Sequence, residues 1–170
     1  MRGKGQLAEV AGFNTLAQYI FGGNQQKVSM DMTTPVFTRA GDEEVGADDQ
    51  EVMQFVLGGG LSLSTAPKPA EGSGVRTREV PGALYAVRKF TGVVASGGRD
   101  EEALRQMMLL KSAIKAAGLK VQMKEKNGNL VEASPVLARY NEPSAPPPTR
   151  RNEVLIPLDS FAFTEASAGL

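Results

Sequence analysis

The side chains on which this chain could build chemistry are carboxylates, lysines, arginines, three tyrosines and seven methionines, because it contains no histidine and no cysteine. Those two zeros exclude disulfides, thiol nucleophiles and thiolate metal sites. They also exclude imidazole bases and histidine-ligated zinc. Enzymes built on carboxylates or lysine survive that cut, yet no paired acids stand in a recognisable setting. The acidic run from Asp42 to Glu51 lacks the alternation of a calcium loop and reads as a solvated turn. Gly58-Gly59-Gly60 is followed by no Lys-Ser/Thr pair and opens no helix, so it is not a phosphate loop. Met30 and Met32 alternate ahead of a strand, a spacing that suits packing better than metal ligation. Arg150, Arg151 and Glu153 suit structural pairing, since guanidinium forks pair with carboxylates or cap carbonyls where a loop turns into a strand. The expectation is a protein that binds rather than catalyses.

Charge points the same way. Nineteen basic and nineteen acidic side chains give a formal net charge of zero, so there is no electrostatic footprint for nucleic acid or an anionic membrane. No apolar run approaches the roughly 20 residues that span a bilayer. With 170 residues, 41% of them hydrophobic, the chain suits one domain with a sizeable core. Residues 1–5 lack the apolar stretch of a secretory signal.

The elements that must position these side chains follow from periodicity. Val10, Phe13, Ala17 and Ile20, widened by Leu16, have helical spacing, and Gly22-Gly23 stops it; with Gly12 weakening the first turn, the helix is expected over 13–20. Strands are expected at 33–39, with Pro35 marking an edge or a strand start, and at 52–57. Residues 58–74 read as a long loop. Residues 75–80 and 83–90 read as a hairpin about Pro81-Gly82. Asp100 as N-cap, Glu101 and Glu102 in the first turn and Gly118 as terminator frame a helix over 100–117. Beyond it come a strand at 119–124, a tight turn at Asn127-Gly128 and a strand over 130–140 broken by Pro135. An extended crossover from Pro143 to Pro148, a strand at 153–156 and a frayed tail complete the chain. The domain therefore covers 13–158, between an extension at 1–12 and a flexible tail at 159–170.

Four motifs in order resemble the SOUL haem-binding family. Phe13 to Asn24 looks like its helix ending in a Tyr-Ile/Leu-x-Gly-x-Asn turn. Lys27 to Val36 resembles its Met-x-Met-Thr-x-Pro-Val signature. Val87-Arg88-Lys89-Phe90-Thr91-Gly92 is similar to its Val-x-x-Phe-Ser/Thr-Gly strand. Arg139-Tyr140-Asn141-Glu142-Pro143, with Arg150-Arg151-Asn152-Glu153-Val154, matches its ending. The resemblance implies an α+β fold of the effector-binding-domain type: a distorted, mainly antiparallel barrel of two similar halves flanked by two helices. It implies a haem or other tetrapyrrole, held non-covalently in a shallow apolar cleft beside the first helix, as a carrier or buffer. The wording of residues 30–38 looks most like plastid members, which implies a chloroplast address, or else a soluble cytoplasmic one. The family's two opening strands, with their Tyr-Glu-x-Arg motif, have no counterpart here. Either those strands lie outside this sequence or the barrel is open, and an exposed edge would invite a protein partner or self-association.

For the site, the resemblance implies a slot walled by Phe13, Leu16, Ala17, Ile20 and Phe21, with Tyr140 as a further wall or a structural hydrogen bonder. The same helix face would serve equally as core against the sheet, and both readings stay open. Gln18 stands where some members carry a lysine able to pair with a propionate. No axial ligand from His or Cys is possible, so apolar burial would drive binding. A second reading is an interaction protein of the same fold, for example one recruited to plastid lipid bodies, with no tetrapyrrole at all.

Overall fold

Asp100 starts the second helix as its composition predicts: its carboxylate accepts from the Ala103 N–H at 3.0 Å, and the helix runs Glu101–Ala116. Gly118, at a φ of +70°, closes it. The Leu119 N–H reaches the Ile114 carbonyl and the Gly118 N–H that of Lys115, the paired bonds of a Schellman ending. This is α2, and Ala103, Gln106, Leu110 and Ile114 form its buried stripe.

The computed structural model describes residues 4–40, 51–94, 100–126, 128–142 and 144–159, and of residues 4–10 and 40 the backbone alone. The acidic turn, Asn127, Pro143 and the tail from 160 onward lie outside the described residues.

Helix α1 spans Lys4–Ile20, beginning well before Phe13. Gly12 sits inside it with open space about its Cα. A helical glycine costs only about 1 kcal/mol relative to alanine, too little to end a helix that its neighbours favour. The strands are β1 (Val36–Ala40), β2 (Glu51–Gln54), β3 (Tyr85–Thr91), β4 (Met123–Lys126), β5 (Asn129–Glu132), β6 (Val136–Arg139) and β7 (Arg151–Pro157). Five form one sheet in the order β2-β1-β6-β7-β3, every pair antiparallel. β4 and β5 form a separate hairpin around Gly128, whose φ of +75° suits the turn. Pro135 falls between β5 and β6 and separates the two sheets.

α2 lies across β3 and β7. Side chains alternate along β7, so Val154 and Ile156 meet Leu110 and Ile114 of the helix, together with Phe90, Leu137 and Leu158. That cluster is the core. α1 packs at the far end of the sheet against β2, where the Phe13 and Phe55 rings meet edge to face at 5.5 Å.

One expectation needs correction and two become specific. The fold is α+β and antiparallel and the barrel is not closed: β2 and β3 are edges, and among the described residues the β4–β5 hairpin joins the main sheet through the Val121–Leu158 bridge and neighbouring backbone bonds. Residues 75–80 form no strand. Val75 and Val80 are five apart and would point to opposite faces, so neither face offers a strip to bury. Pro35 does mark a strand start, at a cis Thr34–Pro35 peptide, but β1 is an inner strand and no edge is blunted there.

Candidate functional site

The C-terminal end of α1 is built as a platform. Gly22 has a φ of +98°, and the Gly23 N–H turns back onto the Gln18 carbonyl at 2.7 Å, the six-to-one bond of a Schellman ending. A Cβ on Gly23 would stand 2.6 Å from that same carbonyl oxygen, so only glycine fits. Asn24 then fastens the turn from inside. Its buried Nδ2 donates to the Tyr19 carbonyl at 2.9 Å and the Val28 carbonyl at 2.6 Å, and its Oδ1 accepts from the Val28 N–H at 3.1 Å.

A strap from the long loop crosses this platform. The Tyr19 hydroxyl donates to the Pro67 carbonyl at 2.7 Å, and burial pushes its pKa up. The Gln25 N–H reaches the Lys68 carbonyl, its side-chain amide reaches that of Pro69, and the Lys68 N–H reaches Gln26 Oε1. Two clefts flank the strap. The larger, about 640 Å³, is lined by Asn14, Thr15, Ala17, Gln18, Tyr19, Phe21, Gly23, Ala70 and Ser73. Phe21 is 61% exposed there, an aromatic ring held at the mouth of a cleft rather than in the core. The smaller, about 450 Å³, has Val28, Met30, Asp31, Leu61, Thr65 and Pro67 among its walls.

The chain matches the family model described as SOUL heme-binding protein over residues 2–157. It belongs to the SOUL family. No curated protein matches the chain.

The SOUL motifs fall where this platform needs them. The Tyr-Ile-x-Gly-x-Asn turn supplies the Tyr19 bond to the strap, the tight return at Gly22-Gly23 and the Asn24 clamp, and its Tyr19, Phe21 and Gly23 also line the larger cleft. Of the residues expected to wall a slot, Ala17 and Phe21 line the larger cleft. Ile20 is 1% exposed and belongs to the interior, Phe13 is spent on Phe55, and Leu16 is half-buried outside the lining. The lining stripe on α1 is Asn14, Ala17, Gln18 and Phe21, offset one residue from the apolar stripe and partly polar. An exposed Phe21 at helical spacing from Ala17 and Asn14 was its signal in the sequence. Ala70 and Ser73 come from a distant loop and gave none. Met30 lines the other cleft, and Met32 is 41% exposed.

Tyr140 stands elsewhere. Its hydroxyl donates to Glu153 Oε2 at 2.7 Å, the Arg151 fork donates to Oε1, and the Arg151 guanidinium lies 4.3 Å above the Tyr140 ring. Glu153 is buried on the sheet face opposite α2. Burial works to raise its pKa, but the Tyr140 hydroxyl, the Arg151 fork and the Lys89 charge together outweigh it and hold the carboxyl below the usual glutamate range. Burial and the facing carboxylate both raise the Tyr140 pKa. A carboxyl depressed in the folded state adds stability that is present above its unfolded pKa, about 4.3, and is lost as pH falls through the folded value. Glu153→Gln is therefore expected to lose about 1–3 kcal/mol near pH 7, with the deficit shrinking towards pH 3. Urea titrations of both proteins across that range measure it; a deficit constant with pH counts against the network.

Proposed function

We propose that this SOUL protein binds a tetrapyrrole non-covalently in the cleft at the end of α1 and releases it unchanged, as a carrier or buffer. The half-open cleft with Phe21 at its mouth carries this reading. Its volume of about 640 Å³ is in the range of pockets that take ligands of this size. Ala17, Gly23 and Ala70 are small enough to let a flat ring approach the backbone, and Phe21 offers a face for stacking, worth about 0.5–1.5 kcal/mol beyond the area buried. The residues fit the ring better than they fit a metal at its centre. The sequence has no His or Cys, and the one tyrosine of the lining has its hydroxyl committed to Pro67 and its ionisation opposed by burial. A bound haem would keep weak or non-protein axial ligands, and burial of the macrocycle would supply the affinity.

Titration with ferric haem and with iron-free protoporphyrin IX, followed by absorbance and fluorescence, tests this. Both are expected to bind with affinities within about tenfold, and Ala17→Trp, which fills the cleft, to weaken both by at least about tenfold. Unchanged binding to the Trp variant would move the site elsewhere. A low-spin spectrum with two strong protein ligands would overturn the account of ligation.

A further inference from the structure

The charge around the cleft says which tetrapyrroles it suits. Haem and protoporphyrin IX carry two free carboxylates, so their placement depends on nearby cations. The polar side chains of this lining, Asn14, Thr15, Gln18 and Ser73, are all neutral. The cleft also sits against the last turn of α1, the negative end of the helix dipole, and that turn holds no basic residue. Such an end favours cations and disfavours anions. On the strap, Lys68, Glu71 and Arg76 are all exposed and all lie outside the lining, so none of these charges decides the matter. The helix end therefore acts against an anionic ligand edge, and among the described residues no lining group supplies it a counter-charge.

We infer that the cleft selects tetrapyrroles whose acidic side chains are esterified or otherwise uncharged over the free dicarboxylates. This rests on the cleft being the tetrapyrrole site. Neutral amides and hydroxyls suit ester carbonyls, which accept one hydrogen bond and need no counter-charge. A free carboxylate at the same place keeps its hydration only by staying out of the cleft, which draws the ring away from Phe21 and Ala17.

Competitive titration of protoporphyrin IX against its dimethyl ester, both in the same dilute neutral detergent, decides the matter. The ester is expected to bind about tenfold tighter or more. Gln18→Lys is expected to strengthen the free acid by about tenfold and leave the ester within about twofold, so that the preference falls or reverses. Free acid binding as tightly as the ester, or a lysine variant with the original ratio, would overturn the inference and leave the cleft as a tetrapyrrole site. Failure of both porphyrins to bind would overturn the site assignment and this selectivity together.

Discussion

Ile156→Ala is expected to lower the stability of the folded chain by about 2–5 kcal/mol, a large part of the total of a domain this size. Ile156 is fully buried. It lies on β7, which pairs with β6 on one side and β3 on the other, and it faces the α2 stripe of Leu110 and Ile114. Truncation there removes contacts from two strands and a helix at once, and the cavity cannot collapse without moving the middle of the sheet. On that face Ala103, Leu110 and Ile114 of α2 share one buried cluster with Phe90, Leu137, Val154 and Ile156 of the sheet. Urea unfolding measures the loss. Leu130→Ala is the control, because Leu130 is 74% exposed on β5, and its effect should stay within about 0.5 kcal/mol. An Ile156→Ala loss below about 1 kcal/mol would mean that the core lies elsewhere.

How far the sequence foretold this structure depends on the range of the interactions involved. α2 was legible almost to the residue, because Asp100 and Gly118 act on backbone groups within four positions of themselves. β1 was expected from 33 and begins at Val36, directly after Pro35, which acts on its own backbone. The family motif placed the turn after α1 correctly, since its residues over-determine a local arrangement, and the final strand expected at 153–156 lies within the observed Arg151–Pro157. Longer-range features were not legible. The start of α1 at Lys4 depended on whether one glycine outweighs its neighbours, a question of about 1 kcal/mol. Which strands form the open edges depends on pairing between segments far apart in sequence, and Pro35 left an edge possible at β1 where the edges are β2 and β3. The cleft was half legible: its α1 stripe could be traced through Phe21, but the strap residues Ala70 and Ser73 reach it only through the Tyr19–Pro67 and Gln25–Lys68 bonds. For Tyr140 the sequence left two roles open, cleft wall or structural hydrogen bonder, and its hydroxyl holds a buried carboxylate.

The clamp beneath the cleft gives the second large effect. Asn24→Leu keeps nearly the same side-chain shape but removes both donors and the acceptor, leaving the Tyr19 and Val28 carbonyls and the Val28 N–H without these partners. At about 1–3 kcal/mol for each buried group left unsatisfied, the expected loss is about 3 kcal/mol or more, with partial relief where water enters. Asn24→Asp separates hydrogen bonding from shape. It retains an acceptor for the Val28 N–H but turns a carboxylate oxygen towards two carbonyls that now receive no proton. The Asp variant is therefore expected to be no more stable than the Leu variant near pH 7, and to recover in part as the carboxyl is protonated at acid pH. Binding should report the same damage. Tyr19, whose carbonyl Asn24 holds, also carries the strap through Pro67, so protoporphyrin affinity should fall in both variants even where circular dichroism shows them folded. An Asp variant as stable as the original protein would mean that Asn24 fills space there and does not clamp the turn. Full affinity in a folded Leu variant would mean that the strap holds its place without the turn, and that the cleft is set by Gly23 and the helix end alone.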